Sequence, residues 1–162
     1  MPSKSSSLKV ADIVVRDLVT VSPDDSLEEA LALLVENRVS ALPVVTGNRR
    51  CVGVLSGTDL LNLTRELDEE IGAQLLVGES GRRSFIEQLA QDGLGTRLVK
   101  EVMTSDVVSV GRSTPVAQAA GVMVASRVHR LIVVDSHDKL VGIVSTMDLL
   151  AAFAEEFSDS SE

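Results

Sequence analysis

Apolar residues recur along the chain with two periods, and the order of those periods occurs twice. Leu27, Ala30, Leu31 and Leu34 are spaced three and four apart, which puts them on one face of an amphipathic helix. Two short apolar runs follow, 42–45 and 51–55, split by the polar stretch Thr46-Gly47-Asn48-Arg49-Arg50, and this predicts a β-hairpin. A second helix is predicted after Ser56. The same order returns with Val116, Ala119, Ala120 and Met123, then runs 131–134 and 140–144 around a polar turn, then a helix after Ser145. Ahead of each set stands another apolar stretch, 10–21 in the first, which reads as a strand interrupted near Asp17. The unit is therefore β-α-β-β-α. Two of them predict an α/β protein with two small sheets and helices packed on them.

Shifting the chain by 89 residues lays 10–61 over 99–150 without a gap, and 17 of the 52 pairs are identical. A unit that cannot bury its own apolar face packs on its copy, and a cleft between pseudo-symmetric copies is a natural binding place. The chain thus divides into a flexible tail over 1–9, a first repeat over 10–61, a helical insertion over 62–98, a second repeat over 99–150, and a helix end with an acidic tail over 151–162. In the insertion, the second helix is expected to continue over 60–71, a loop to occupy 78–83, and a further helix to span 84–91. Ser26 with Glu29, or Asp25 with Glu28, fits a capping box at the first helix. In the copy, Thr114-Pro115 is expected to be a cap followed by proline at the first helical position.

Composition narrows the function classes. The 162 residues include 44% hydrophobic ones, enough for a core. No apolar run reaches the roughly 20 residues of a membrane-spanning helix, and the polar start lacks a secretory signal, so a cytoplasmic protein is expected. A net charge of −9 argues against a nucleic-acid polymer as partner, and with no Trp and no Tyr there is no aromatic stacking platform. The charge is uneven. Residues 10–61 carry four Lys/Arg against eight Asp/Glu, whereas 99–150 carry five of each, so a small anion should draw its positive charge from the second repeat. Cys51 aligns with Leu140 in an apolar run and reads as a buried small hydrophobe.

The densest identities are Val52-Gly53-x-x-Ser56-x-x-Asp59 and Val141-Gly142-x-x-Ser145-x-x-Asp148. A strand ends and a helix begins at each serine. The free amides there suit an anion, and the aspartate offers two acceptor oxygens to the paired hydroxyls of a ribose. The same Ser-x-x-Asp pattern is also a plain capping box. By the motif alone the cap is the better explanation; its recurrence behind a Val-Gly strand in both copies supports a ligand contact as well. Arg127-Val128-His129-Arg130-Leu131 runs from a helix into a strand and has the donors a phosphate requires. Taken alone, such a pair is more often solvated surface. The first repeat has Ser40-Ala41 in the equivalent place.

These residues, with Leu42-Pro43-Val44-Val45, Leu131-Ile132-Val133-Val134 and Val102-Met103-Thr104, resemble a tandem pair of cystathionine-beta-synthase domains, a Bateman module. The resemblance covers about two thirds of the chain. It implies a sensor of adenosine compounds, with no required cofactor and no metal. It also implies two clefts, one built from Ser56, Asp59, Met103, Thr104, His129 and Arg130, the other from Ser145, Asp148, Val14, Val15, Ser40 and Ala41. The second departs from the family pattern, with Val14-Val15 where Met-Thr is usual and no His-Arg pair.

The expected function is a stand-alone regulatory module that binds AMP, ADP or ATP and signals to an unidentified protein partner. No nucleophile stands with a base, so no catalytic role is expected. The rivals are another adenosyl ligand, such as S-adenosylmethionine, or a ligand-free interaction module. Leu60-Leu61-Asn62-Leu63 and Leu149-Leu150-Ala151-Ala152-Phe153 hold more apolar surface than a small module can bury, and the resemblance implies a flat homodimer through these helices.

Overall fold

A computed structural model describes residues 8–65 and 93–159. They form two compact units whose borders are not those of the repeats: one combines 1–18 with 107–162, the other is the continuous stretch 19–106. Each unit thus takes the opening segment of the other repeat. The identical residues Val10 and Val99 show the consequence. Both are fully buried, Val10 in the core of the second repeat and Val99 in that of the first. Burying a valine contributes roughly 1.5–3 kcal/mol, so each exchanged segment is anchored by its first apolar residue.

In the continuous unit, helix α2 (Leu27–Glu36) buries Leu27, Ala30, Leu31 and Leu34, the expected face. Ser26 caps it by accepting the Glu29 amide, while Asp25 accepts the Ser22 amide. Strands β1 (Ala41–Val45) and β2 (Cys51–Ser56) form the expected antiparallel hairpin, and α3 (Gly57–Arg65) follows. Val21 adds a single parallel bridge to Val44 on one edge. On the other edge the exchanged segment, α4 (Val99–Val102) and the residues after it, pairs Thr104 with Val54 through hydrogen bonds of 2.9 and 3.0 Å. The Cys51 thiol is half-buried and donates to the Gly53 carbonyl at 3.2 Å; burial pushes its pKa up, so it behaves as the small apolar residue expected.

The other unit repeats the plan with α1 (Val10–Ile13), β3 (Ser109–Gly111), α5 (Val116–Ser126), β4 (Arg130–Val134), β5 (Leu140–Ser145) and α6 (Thr146–Asp159). Its sheet has order β3-β4-β5, with β3 parallel to β4 and β4 antiparallel to β5. Val15 of the exchanged segment bridges Ile143 on the β5 edge. Both hairpins carry a register shift at the same place, Val44/Val45 and Val133/Val134, and a residue with positive φ in the same turn position, Arg49 and Asp138. The β4–β5 turn is closed by Asp135, which accepts the amides of Lys139 and His137; those hydrogen bonds hold its carboxyl below the usual range.

Several local expectations change. The opening stretch 10–21 is not a strand. It begins as one helical turn, because the acid three residues after Lys9 and Leu98 reaches back to their amides: Asp12 accepts from Lys9 at 2.9 Å and Glu101 from Leu98 at 2.7 Å. Pro115 is the N-cap of α5 rather than its first residue, and Thr114 does not cap it by its side chain. The exchanged segment serves instead, since Leu8 accepts the Val116 amide as Arg97 accepts that of Leu27. Leu8, inside the expected tail, therefore packs against the core, and α6 extends to Asp159, well into the expected acidic tail. Of the insertion, a 3-10 turn at Leu94–Thr96 is described. The helix expected over 84–91, the loop over 78–83 and the extension of α3 beyond Arg65 lie outside the described residues.

Candidate functional site

The strand-to-helix junction after β2 sets the geometry of the first candidate site. Ser56 ends the strand and α3 begins beside it, so three residues bring Asp59 back over the serine. Asp59 is only 8% exposed. Its Oδ2 accepts the Ser56 amide at 2.7 Å and the Ser56 hydroxyl at 3.1 Å. Its Oδ1 accepts the Thr104 hydroxyl at 2.5 Å, a contact across 45 positions of sequence. The cap and the site are thus one arrangement. A carboxylate held at both oxygens keeps one orientation; Oδ2 already accepts two donors, and Oδ1 retains a lone pair for a further one.

Thr104 reaches Asp59 because β2 has no side chain where the exchanged segment crosses it. A Cβ on Gly53 would lie 2.5 Å from the Met103 sulfur and 2.9 Å from the Thr104 carbonyl oxygen. Gly142 plays the same part in the other unit, where a Cβ would meet the Val14 side chain and the Val15 carbonyl oxygen, both at 2.4 Å. Only glycine permits this approach.

The second junction matches the first with one difference. Asp148 Oδ2 accepts the Ser145 amide at 2.7 Å and its hydroxyl at 2.9 Å, and the Asp148 amide returns a bond to that hydroxyl at 3.2 Å. Val15 stands where Thr104 stands, so no hydroxyl reaches Oδ1, which has no hydrogen-bond partner among the described residues.

Each helix-to-strand segment lies in the same unit as the hairpin it enters. Within the units, His129 and Arg130 accompany Ser145 and Asp148, while Ser40 and Ala41 accompany Ser56 and Asp59. Arg130 is the cross-strand partner of Ser145, as Ala41 is of Ser56. Directly opposed residues share a face of the sheet, so Arg130 and Ser145 lie on the same face of the β4–β5 hairpin. The reason is local: each segment enters the first strand of its own hairpin, and hairpin register is fixed by the turn. Thr146 reinforces this placement by donating its amide to the His129 carbonyl at 2.9 Å. Arg38 and Arg127, identical in the repeats, end α2 and α5 with φ of 53° and 55°.

The apolar stretches of the second helices are partly covered, with Leu150 exposed. Leu60, Leu63, Leu149 and Ala152 are buried inside their units. The exposed large hydrophobics among the described residues are Val15, Val124, Met147 and Leu150, all in the unit that holds the second repeat. There a groove of about 450 Å³ runs between α5 and α6, floored by Met123 and Leu149, with Arg127, His129 and Thr146 among its lining residues. No described helix is long and apolar enough to cross a membrane.

Comparison with known proteins adds the context of these junctions. The CBS domain family matches residues 10–66 and again 99–155. The chloroplastic CBS domain-containing protein CBSX2 of Arabidopsis thaliana is 32% identical over 158 residues, covering 94% of this chain and 66% of that protein. The inosine-5'-monophosphate dehydrogenase of Methanocaldococcus jannaschii is 30% identical over 142 residues, but the chain spans only 23% of its length. Among solved structures, CBSX2 in complex with AMP aligns at a TM-score of 0.68 with 30% identity, covering 91% of this chain and 96% of that one. The CBS domain pair of protein MJ0100, in complex with 5'-methylthioadenosine and S-adenosyl-L-methionine, shares the fold at a TM-score of 0.66 and 22% identity, covering 92% of this chain and 98% of that one.

Proposed function

The chain belongs to the CBS domain family as a tandem pair, and we propose that it is a regulatory module which binds an adenosine nucleotide and passes its binding state to a protein partner. The observation that carries this reading is the Asp59 carboxylate, buried and oriented by Ser56 and Thr104, in a chain 30% identical to a CBS pair solved with AMP. A fixed carboxylate suits the two adjacent hydroxyls of a ribose. Charge assigns the phosphate to His129 and Arg130, the cations added by the more basic second repeat. In a chain poor in aromatics the base lies against aliphatic side chains, with Met103 the candidate beside Asp59. We take the role to be regulatory rather than catalytic, and the working form to be a homodimer through the exposed apolar face of α5 and α6, which sedimentation velocity reads directly.

A second reading places the nucleotide's ribose on Asp148. Its support is the pairing of Arg130 with Ser145 and the open Oδ1 of Asp148.

Calorimetric titration with AMP, adenosine and S-adenosylmethionine tests both. Asp59→Asn should weaken AMP and adenosine alike, by the roughly 1.5–3 kcal/mol of a hydrogen bond to a charged group. Arg130→Ala should weaken AMP much more than adenosine, which has no phosphate to lose. Unchanged AMP binding in Asp59→Asn together with its loss in Asp148→Asn moves the site to the second junction. Tight binding of S-adenosylmethionine alone selects the other adenosyl ligand, and no binding of any of the three leaves a pure interaction module.

A further inference from the structure

We infer that Gly53 is a positioning residue of the Asp59 site: it sets how closely the exchanged segment lies on β2, and so whether the Thr104 hydroxyl reaches the carboxylate. This rests on the reading of Asp59 as a ribose acceptor. Three observations meet at this residue. The hydrogen bonds that hold Thr104 to the sheet go to Val54, the next residue, at 2.9 and 3.0 Å. The space a Cβ would occupy is taken by the Met103 sulfur at 2.5 Å and the Thr104 carbonyl oxygen at 2.9 Å. The Thr104 side chain, on that same residue, bonds to Asp59 Oδ1. The Met103 thioether is a flexible end and can swing aside, but the carbonyl is backbone and already bonded to the Val54 amide. Alanine at this position therefore lifts the strand that carries Thr104. Gly142 performs the same packing beside Val15, which has no hydroxyl to place, so glycine is needed for the approach in both units and serves a polar contact in one.

Two measurements on the full chain test the inference. Amide hydrogen exchange without ligand comes first. Gly53→Ala should speed exchange of the Val54 and Thr104 amides by tenfold or more, as expected for local opening, while the β4–β5 amides keep their protection. A double-mutant cycle on AMP affinity comes second. Gly53→Ala should weaken binding about tenfold in the wild-type background, the scale of one hydrogen bond to a charged group. In a Thr104→Val background the same change should cost little further affinity, because the hydroxyl it displaces is already gone. Equal fold-losses in both backgrounds would show a general packing role, and unchanged exchange at Val54 and Thr104 would show that the strand does not move; either overturns the inference. If Gly53→Ala does not fold, Gly53→Ala with Met103→Ala removes the closer of the two clashes and is read by the same exchange experiment. A wild-type chain that binds no adenosine compound defeats the functional reading, while the exchange result still decides the positioning of Thr104.

Discussion

Asp59 and Asp148 stand at the same place in the two units, and each accepts the amide and hydroxyl of the serine three residues before it. They part at the second oxygen. Asp59 has Thr104 there and is buried; Asp148 has Val15 beside it and is only partly covered. The same division recurs on the helices. Leu31 fills the inner face of α2, whereas its counterpart Ala120 stops short and a groove opens between α5 and α6. Thr58 in the first repeat is replaced by Met147, which is 71% exposed. Backbone hydrogen bonds, glycine positions and the exchanged opening segments are common to both units. What differs is where polar and apolar atoms are spent. Among the described residues, the first junction is closed around Asp59, while the second leaves Asp148 Oδ1 without a hydrogen-bond partner and exposes Val124, Met147 and Leu150. On the proposed reading, the second repeat supplies the phosphate-binding cations and the docking face, while the first supplies the more tightly held carboxylate.

The largest expected effect contrasts the two helix faces. Leu31→Ala should cost about 2–5 kcal/mol of stability in chemical unfolding, the range for a fully packed leucine, because it empties space inside a closed core. Ala120→Leu, the reverse exchange in the other repeat, should change stability by less than about 1 kcal/mol, since the added atoms enter an open groove. Equal and opposite shifts would mean that the two faces are packed alike and would break the comparison.

An intermediate effect concerns association. Met147→Lys and Leu150→Lys, at positions 71% and 54% exposed, should weaken the proposed homodimer by tenfold or more in sedimentation velocity. Thr58→Lys, at the position matching Met147 in the other repeat, should leave it intact. A chain that sediments as a monomer at tens of micromolar, a range in which transient complexes form, removes the dimer altogether.

The smallest effect is at the carboxylates. Val15→Thr should give Asp148 Oδ1 the partner that Thr104 gives Asp59, adding about 0.5–1.5 kcal/mol in thermal unfolding, the net contribution of one hydrogen bond. No gain would show that the two junctions differ in backbone placement as well as in side chain.

Much of this was legible in the chain. The apolar periods of Leu27, Ala30, Leu31 and Leu34, and of the paired runs around each polar turn, specify α2, both hairpins and the helices after Ser56 and Ser145, because those elements are held by contacts close in sequence. Ser56 with Asp59 and Ser145 with Asp148 were readable for the same reason, as three-residue contacts. The stretch 10–21 is valine-rich and has strand propensity, but the acid three residues after Lys9 turns its start into a helical turn. Tertiary structure alone decided the rest. Val10 and Val99 are the same residue at equivalent positions of the repeats, and nothing local says that each is buried in the other repeat. Thr104 finds Asp59 across 45 positions, through a gap left by a glycine on a third segment. Arg130 is placed with Ser145 by hairpin register, and Met147 is left bare while Leu60 is covered by how the helices pack. A sequence states which groups are available; which of them meet depends on contacts between segments that the chain must first bring together.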